Sequence, residues 1–248
     1  MLYNIFCGFY HYGATKLKNY FSSFLKKETE VDKAFLLAEH SIFFTGGLIT
    51  FFRKKWLWDI TQMWISDLSY SICIYYYLYI VRYLVQIKML KIDQKDYRTM
   101  MSHHLMTISL LGLSFKKYHR IGTIIALTHD LSDIPLITSK LLHYYNLEKK
   151  DKFIDKITYT FFAIFFIFFF LTRLILNYKI IHHVTEHTKF NYFYSNTIPL
   201  DEKIMIYLLH FNLLLQCLWQ VKIIKFAYSL TLSSSPVDEK GEVYFKKK

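Results

Sequence analysis

The sequence predicts an all-α polytopic membrane bundle of about six transmembrane helices enclosing a hydrophobic cavity, and three observations predict it. Of 248 residues, 53% are apolar and only 20% are charged, too apolar for a soluble domain and too charged for an unbroken apolar bundle. The charge is gathered into clusters such as Arg53-Lys54-Lys55, Lys116-Lys117 and Lys149-Lys150. Between the clusters lie apolar stretches of roughly 18 to 25 residues, the length that crosses a bilayer core of about 30 Å.

Residues 1–33 read as an interfacial and cytosolic segment. Met1 to Tyr12 is apolar and aromatic but lacks a basic start and a small-residue cleavage site, so it is not read as a cleaved signal peptide. Residues 34–232 form the transmembrane domain, with spans expected over 34–52, 68–87, 99–115, 121–142, 157–181 and 204–228. The fifth, containing Phe161 to Leu171, is the clearest. The third and fourth carry ionisable residues, yet helices still satisfy every backbone group at membrane depth, and Pro135 is expected to kink the fourth. The polar tail, 233–248, reads as disordered and cytosolic. No internal repeat or Gly/Ser linker divides the chain.

Loop charge gives the orientation. Counting Lys and Arg alone, the N-terminal side of six spans holds 17 and the opposite side 9, which puts both termini in the cytosol. Arg82, Lys140, Arg173, Lys222 and Lys225 lie within spans or at their ends, where long basic side chains reach toward the membrane surface. The net charge of +12 is dispersed between spans rather than clustered on one face, so nucleic acid is excluded as a partner. Cys7, Cys73 and Cys217 are far apart and odd in number, which indicates neither a disulfide framework nor a zinc site.

An ionisable side chain at a helix centre costs about 2.5 to 3.5 kcal/mol on insertion scales and faces the bundle interior. This chain concentrates such residues in two adjacent spans: His103 and His104 in the third, and His129, Asp130 and Asp133 in the fourth. Adjacent His103 and His104 diverge by about 100° around a helix, so at most one points squarely at a given centre. His129 and Asp133, four apart, share a face, which allows the carboxylate to hold the imidazole in one tautomer. A single buried histidine is most simply a packing residue, but two histidines and two carboxylates in facing helices favour chemistry. The chemistry open to them is acyl transfer. Either a neutral imidazole attacks a thioester, or it takes the proton of an attacking amine.

The ordered set Lys95-Asp96-Tyr97, His103-His104, Arg120-Ile121-Gly122-Thr123, His129-Asp130-Leu131-Ser132-Asp133, and Lys140 with Tyr144 resembles the motif of the Lag1-type ceramide synthases of the TLC-domain superfamily. Weaker similarity extends from Glu39 to Tyr228 and includes Leu215-Gln216. The resemblance implies a sphingoid-base N-acyltransferase that uses acyl-CoA as co-substrate and needs no cofactor or metal. It implies a catalytic set of His103, His104, His129, Asp130 and Asp133, with His103 favoured as acyl acceptor, and Arg120, Lys140 and Arg173 as substrate-binding residues. It also implies an endoplasmic reticulum membrane setting among membrane lipids and leaves a homo- or heterodimer open. Departures from the pattern are Ile137, where the family often has Glu, a shortened loop Lys116-Lys117-Tyr118-His119, and Trp219, where the family has His. One alternative is a non-catalytic TLC-domain lipid sensor or transporter, which commonly loses the residues retained here. Another is a di-iron hydroxylase, for which His182, His183 and His187 would contribute; these are expected instead in a solvated loop.

Overall fold

The computed structural model describes residues 2–25, 27–64, 68–90, 97–195 and 197–232. Lys95 and Asp96 of the motif and the tail at 233–248 lie outside them. Among the described residues there is no strand. Eight α-helices follow in order: α1 (Leu2–Ser22), α2 (Glu28–Phe51), α3 (Tyr70–Met89), α4 (Tyr97–Lys117), α5 (His119–Lys149), α6 (Lys152–Phe168), α7 (Asn177–Ser195) and α8 (Leu200–Leu232). Two short 3-10 turns, Lys55–Leu57 and Ile60–Trp64, bridge α2 to α3, and a π-helical segment, Phe169–Leu176, joins α6 to α7.

Five of the expected spans match single helices, the first two overrunning α2 and α3 by one and two residues, and the fifth runs from α6 through the π segment into α7. By length and composition, three stretches among the described residues suffice to cross a membrane: Glu28–Phe51, Lys152–Phe190 and Leu200–Ser229. The helices α3, α4 and α5 fall short because Arg82, His103, His104, His129, Asp130 and Asp133 lower their apolar content. That polarity is turned inward. Ile42, Ile49, Ile74, Leu105, Phe170 and Leu218 are exposed, while Glu39, Arg82, His103, Asp130 and Arg173 are buried. An apolar surface over a polar interior is the arrangement a bilayer selects and water disfavours.

Helix α5 is the hub, packed against α2, α3, α4, α6 and the π segment. It continues unbroken through Pro135. Gly47 lets α2 approach it closely, because a Cβ there would lie 2.6 Å from Leu127 Cδ2 and 2.7 Å from the Tyr75 ring. The turn into α6 is two residues long. Lys150 adopts φ 52° at the end of α5, the left-handed stop common at helix C-termini, and the Asp151 carboxylate accepts from Phe153 N at 2.8 Å to start α6. Asn146 clamps the turn, donating to Asp155 Oδ1 at 2.6 Å and to Asp151 O at 2.8 Å. In the α2–α3 connection, hydrogen bonds from the Thr61 hydroxyl and amide hold the exposed Asp59 carboxyl below its ordinary range.

The structure adds to one reading of the termini and alters one of the loops. Much of the N-terminal segment is a 21-residue helix packed on α2 and α3. His182, His183 and His187, expected in a solvated loop, stand on α7, whose Ile180, Ile181 and Val184 are buried in the main core.

Candidate active site

Four helices and the π segment bring the ionisable residues together in two linked groups. The first is a charge network centred on Arg82 of α3, only 1% exposed. Its Nη1 donates to Asp130 Oδ1 at 2.9 Å and Oδ2 at 3.2 Å, and its Nε lies 3.3 Å from Glu39 Oε2. Gln86 Nε2 donates to the same Glu39 oxygen at 2.9 Å. The Tyr79 hydroxyl donates to Asp130 Oδ2 in a short contact. His40 Nδ1 lies 2.7 Å from Asp130 Oδ1 and 2.8 Å from Arg82 Nη2. A guanidinium only donates, so Nδ1 either accepts from Arg82 or donates to Asp130, never both at once.

Arg173 builds the second half from the π segment. Its Nη2 lies 2.6 Å from Asp133 Oδ1 and donates to His129 O at 2.9 Å, while its Nε donates to Ser132 Oγ at 2.6 Å. The wider π turn carries Arg173 against one full turn of α5. π-helical insertions often occur where a helix must re-aim a functional side chain. Asp133 Oδ2 is 4.0 Å from His40 Nδ1, which links the two halves.

The histidines gather beside this network. The His103 ring stacks with His129 at a centroid distance of 6.5 Å, sits 5.7 Å from His104 and meets the Trp219 ring edge-on at 5.1 Å. Both His103 and His104 are buried despite their divergence around α4, because Tyr83 of α3 packs against both rings. His103 Nδ1, His104 Nδ1 and His129 Nε2 are buried with no hydrogen-bond partner among the described residues. Buried polar atoms are nearly always paired, so three orphan imidazole nitrogens in one place call for a ligand that completes them.

His129 also lines an apolar pocket of about 50 Å³ between α3, α4, α5, α7 and α8. Its walls include Leu110, Leu111, Ile121, Ile125, Val184 and Leu209. From His129 to Tyr118 it extends about 16 Å at the helical rise, toward the end of the bundle opposite the basic clusters at 149–156.

All five residues expected to be catalytic therefore lie in one region, with changed partners. Asp133, expected to hold His129, pairs instead with Arg173. Asp130 engages His40, Arg82 and Tyr79. Arg82, expected to reach for the membrane surface, is enclosed, since two carboxylates and the Phe43 ring, 4.7 Å from its guanidinium carbon, surround it. Arg173, expected to bind substrate, is committed to the internal ion pair. Arg120 lies elsewhere: it donates to Gln62 O at 2.8 Å and sits over the Trp56 ring at 5.9 Å, about 13 Å along α5 from His129. Lys140 is half-buried about 10 Å beyond Asp133 on the same helix. His40 was not singled out in the sequence. It and Glu39 stand at mid-span in α2, so counting intramembrane ionisable residues in the first two spans as in the third and fourth would have found both.

An inward-facing network of two arginines, three carboxylates and four histidines, set beside an apolar pocket in a helical bundle, defines a polytopic membrane protein built around a buried polar site. Comparison with known proteins makes the class specific. The chain belongs to the TLC domain family of TRAM, LAG1 and CLN8 proteins, whose family profile matches residues 31–225. It is similar to ceramide synthase 5 of Homo sapiens, with 34% identity over 138 residues, 53% of this chain and 33% of that protein. Ceramide synthase 4 of Homo sapiens is 28% identical over 218 residues, 82% of this chain and 50% of that protein. Ceramide synthase hyl-1 of Caenorhabditis elegans is 26% identical over 214 residues, 80% and 56% of the two chains. The chain thus spans between about a third and just over half of these relatives' length.

Proposed function

We propose that this protein is a sphingoid-base N-acyltransferase that moves a fatty acyl group from acyl-CoA to the amine of a long-chain base. The observation that carries it is the convergence of three buried imidazoles with unpaired nitrogens, one of which, His129, lines an apolar pocket between the helices. The names of the relatives, ceramide synthases, supply the substrate class.

The acyl chain lies in the cavity with its thioester carbonyl beside His129 and His103. In the direct route the amine nitrogen bonds to the carbonyl carbon, the C–S bond breaks, and an imidazole passes the amine proton to the departing thiolate. In the covalent route an imidazole nitrogen first displaces the thiolate and the amine then displaces the imidazole. Both need a neutral imidazole nitrogen free of competing hydrogen bonds. The ion pairs of Arg82 and Arg173 hold α2, α3, α5 and the π segment in register, and so fix the imidazoles relative to the cavity. Six membrane crossings, with both termini cytosolic and the protein in the endoplasmic reticulum membrane, put the histidine level nearer the cytosolic face, where acyl-CoA arrives.

The test is purified protein incubated with sphinganine and acyl-CoAs of graded length, with amide product read by mass. His103→Ala and His104→Ala should each lower turnover by about 10² to 10⁴ with normal protein abundance. Turnover retained in both variants refutes the assignment. A wild-type protein that binds the base and makes no amide supports a lipid sensor instead.

A further inference from the structure

Helix α8 carries a feature that the acyl-transfer chemistry leaves unused. Its inward stripe begins apolar with Met205 and Leu209 and then turns to amides at Asn212, Gln216 and Gln220. The outward stripe at the same levels is Phe211, Leu214, Leu218 and Val221, all exposed. Asn212 lines the cavity. Gln216, with no exposed surface, donates its Nε2 to Asn212 Oδ1 at 3.2 Å, and its own Oε1 has no partner among the described residues. Gln220 Oε1, one turn further on, is likewise buried and unpaired. Between the two amides stands Trp219, whose ring touches His103.

Glutamines of this kind are commonly helix–helix glue in membranes. Glue requires a partner on the facing helix, and both acceptor oxygens lack one. Unsatisfied acceptors buried in apolar surroundings are costly, so a ligand that brings donors is the arrangement's natural complement. Two acceptors about 6 Å apart along a helix, bordering a reactive histidine, fit a molecule with O–H and N–H donors on neighbouring carbons and an apolar tail. An acyl chain and its thioester offer no donor.

Resting on the acyl-transfer reading, we propose that Gln216 and Gln220 are positioning residues that accept hydrogen bonds from the amino-alcohol head of the long-chain base and thereby aim its amine at His103. Specificity for hydroxylated bases then arises on α8, since a site that hydrogen-bonds a hydroxyl rejects the analogue without it.

The experiment compares sphinganine with the same base lacking its 1-hydroxyl, in wild type, Gln216→Met and Gln220→Met. The reading is the ratio of the two kcat/KM values, which does not depend on how much folded protein the membrane holds. Wild type should prefer the hydroxylated base by about tenfold or more, and at least one variant should bring the ratio close to one with KM for acyl-CoA unchanged. Amide formation with no wild-type preference, or with the preference intact in both variants, overturns the proposal and leaves the acyl-transfer reading standing. A raised KM for acyl-CoA would assign the rail to the coenzyme's pantetheine amides and also overturns it. No amide product from wild type with either base refutes the acyl-transfer reading itself.

Discussion

Removing Arg82 should be among the most damaging single changes in the bundle, and the magnitude follows from its contacts. Its guanidinium lies 2.9 Å from Asp130 and 3.3 Å from Glu39. At an effective dielectric of about 20 each contact contributes on the order of 5 kcal/mol of attraction. Desolvating the three charges offsets most of that, so the intact network adds little net stability. Arg82→Met does not return the system to zero, because it leaves two carboxylates buried beside each other without a cation. Breaking a buried pair in this way costs about 3 to 5 kcal/mol. At about 2 to 4 °C per kcal/mol for a chain of this size, the melting temperature should fall by about 6 to 20 °C. Thermal unfolding of detergent-solubilised protein, followed by tryptophan fluorescence, reads the shift. The triple variant Arg82→Met, Glu39→Met, Asp130→Leu should recover part of the loss, short of about 1 kcal/mol each for the Tyr79 hydroxyl, the Gln86 amide and the His40 ring, which lose their partners. A fall below about 2 °C in the single variant, or no recovery in the triple, refutes the claim that this network is buried and mutually compensating.

Arg173→Lys keeps the charge near Asp133 but cannot span Ser132 Oγ and His129 O together. Amide formation should fall with abundance near normal, and unchanged turnover would refute a positioning role for the π segment. Gly122→Ala puts a Cβ 1.9 Å from the Tyr76 hydroxyl and 2.9 Å from Ser114 Oγ. It should destabilise by about 1 to 3 kcal/mol, read by the same melt, and Tyr76→Phe in the same chain should relieve part of the loss. Met205→Trp fills the cavity wall away from His129. It should shift acyl-CoA use toward shorter chains with sphinganine KM unchanged, whereas an unaltered length profile would separate the cavity from the acyl chain.

Much of the fold was legible because depth in a bilayer is written in composition. Apolar run length and interrupting Lys and Arg located α2, α3, α4, α5, α8 and the run from α6 through the π segment into α7, and ionisable residues inside the third and fourth runs located the site. Azimuth is a different quantity. Whether Arg82 points to lipid or to the bundle depends on Glu39 and Asp130, 43 and 48 positions away, and no local signal announces them. The inference from His129 and Asp133 on one face was sound geometry, but Arg173 offers the carboxylate a stronger, charged donor. Arg173 reaches it only because the helix widens to a π turn at Phe169–Leu176, a change without a sequence motif. The helix α1 is harder to foresee, since its apolar residues end near Tyr12 while the helix continues through the polar, lysine-bearing stretch to Ser22.

The division of labour inside the bundle explains why carboxylates and histidines occur together yet barely touch. Asp130 has both oxygens occupied by Arg82, Tyr79 and His40, and Asp133 is held by Arg173. Had either carboxylate bonded His103 Nδ1 or His129 Nε2 directly, that nitrogen would no longer be open to a ligand. Tying the carboxylates to guanidiniums instead locks the helices that carry the imidazoles and leaves His103 Nδ1, His104 Nδ1 and His129 Nε2 without partners among the described residues. Rigidity and reactivity are therefore supplied by neighbouring but separate sets of atoms. On the acyl-transfer proposal, a conservative change in the charged set should weaken turnover by misplacing the histidines, while a change in a histidine should abolish turnover and leave the scaffold standing.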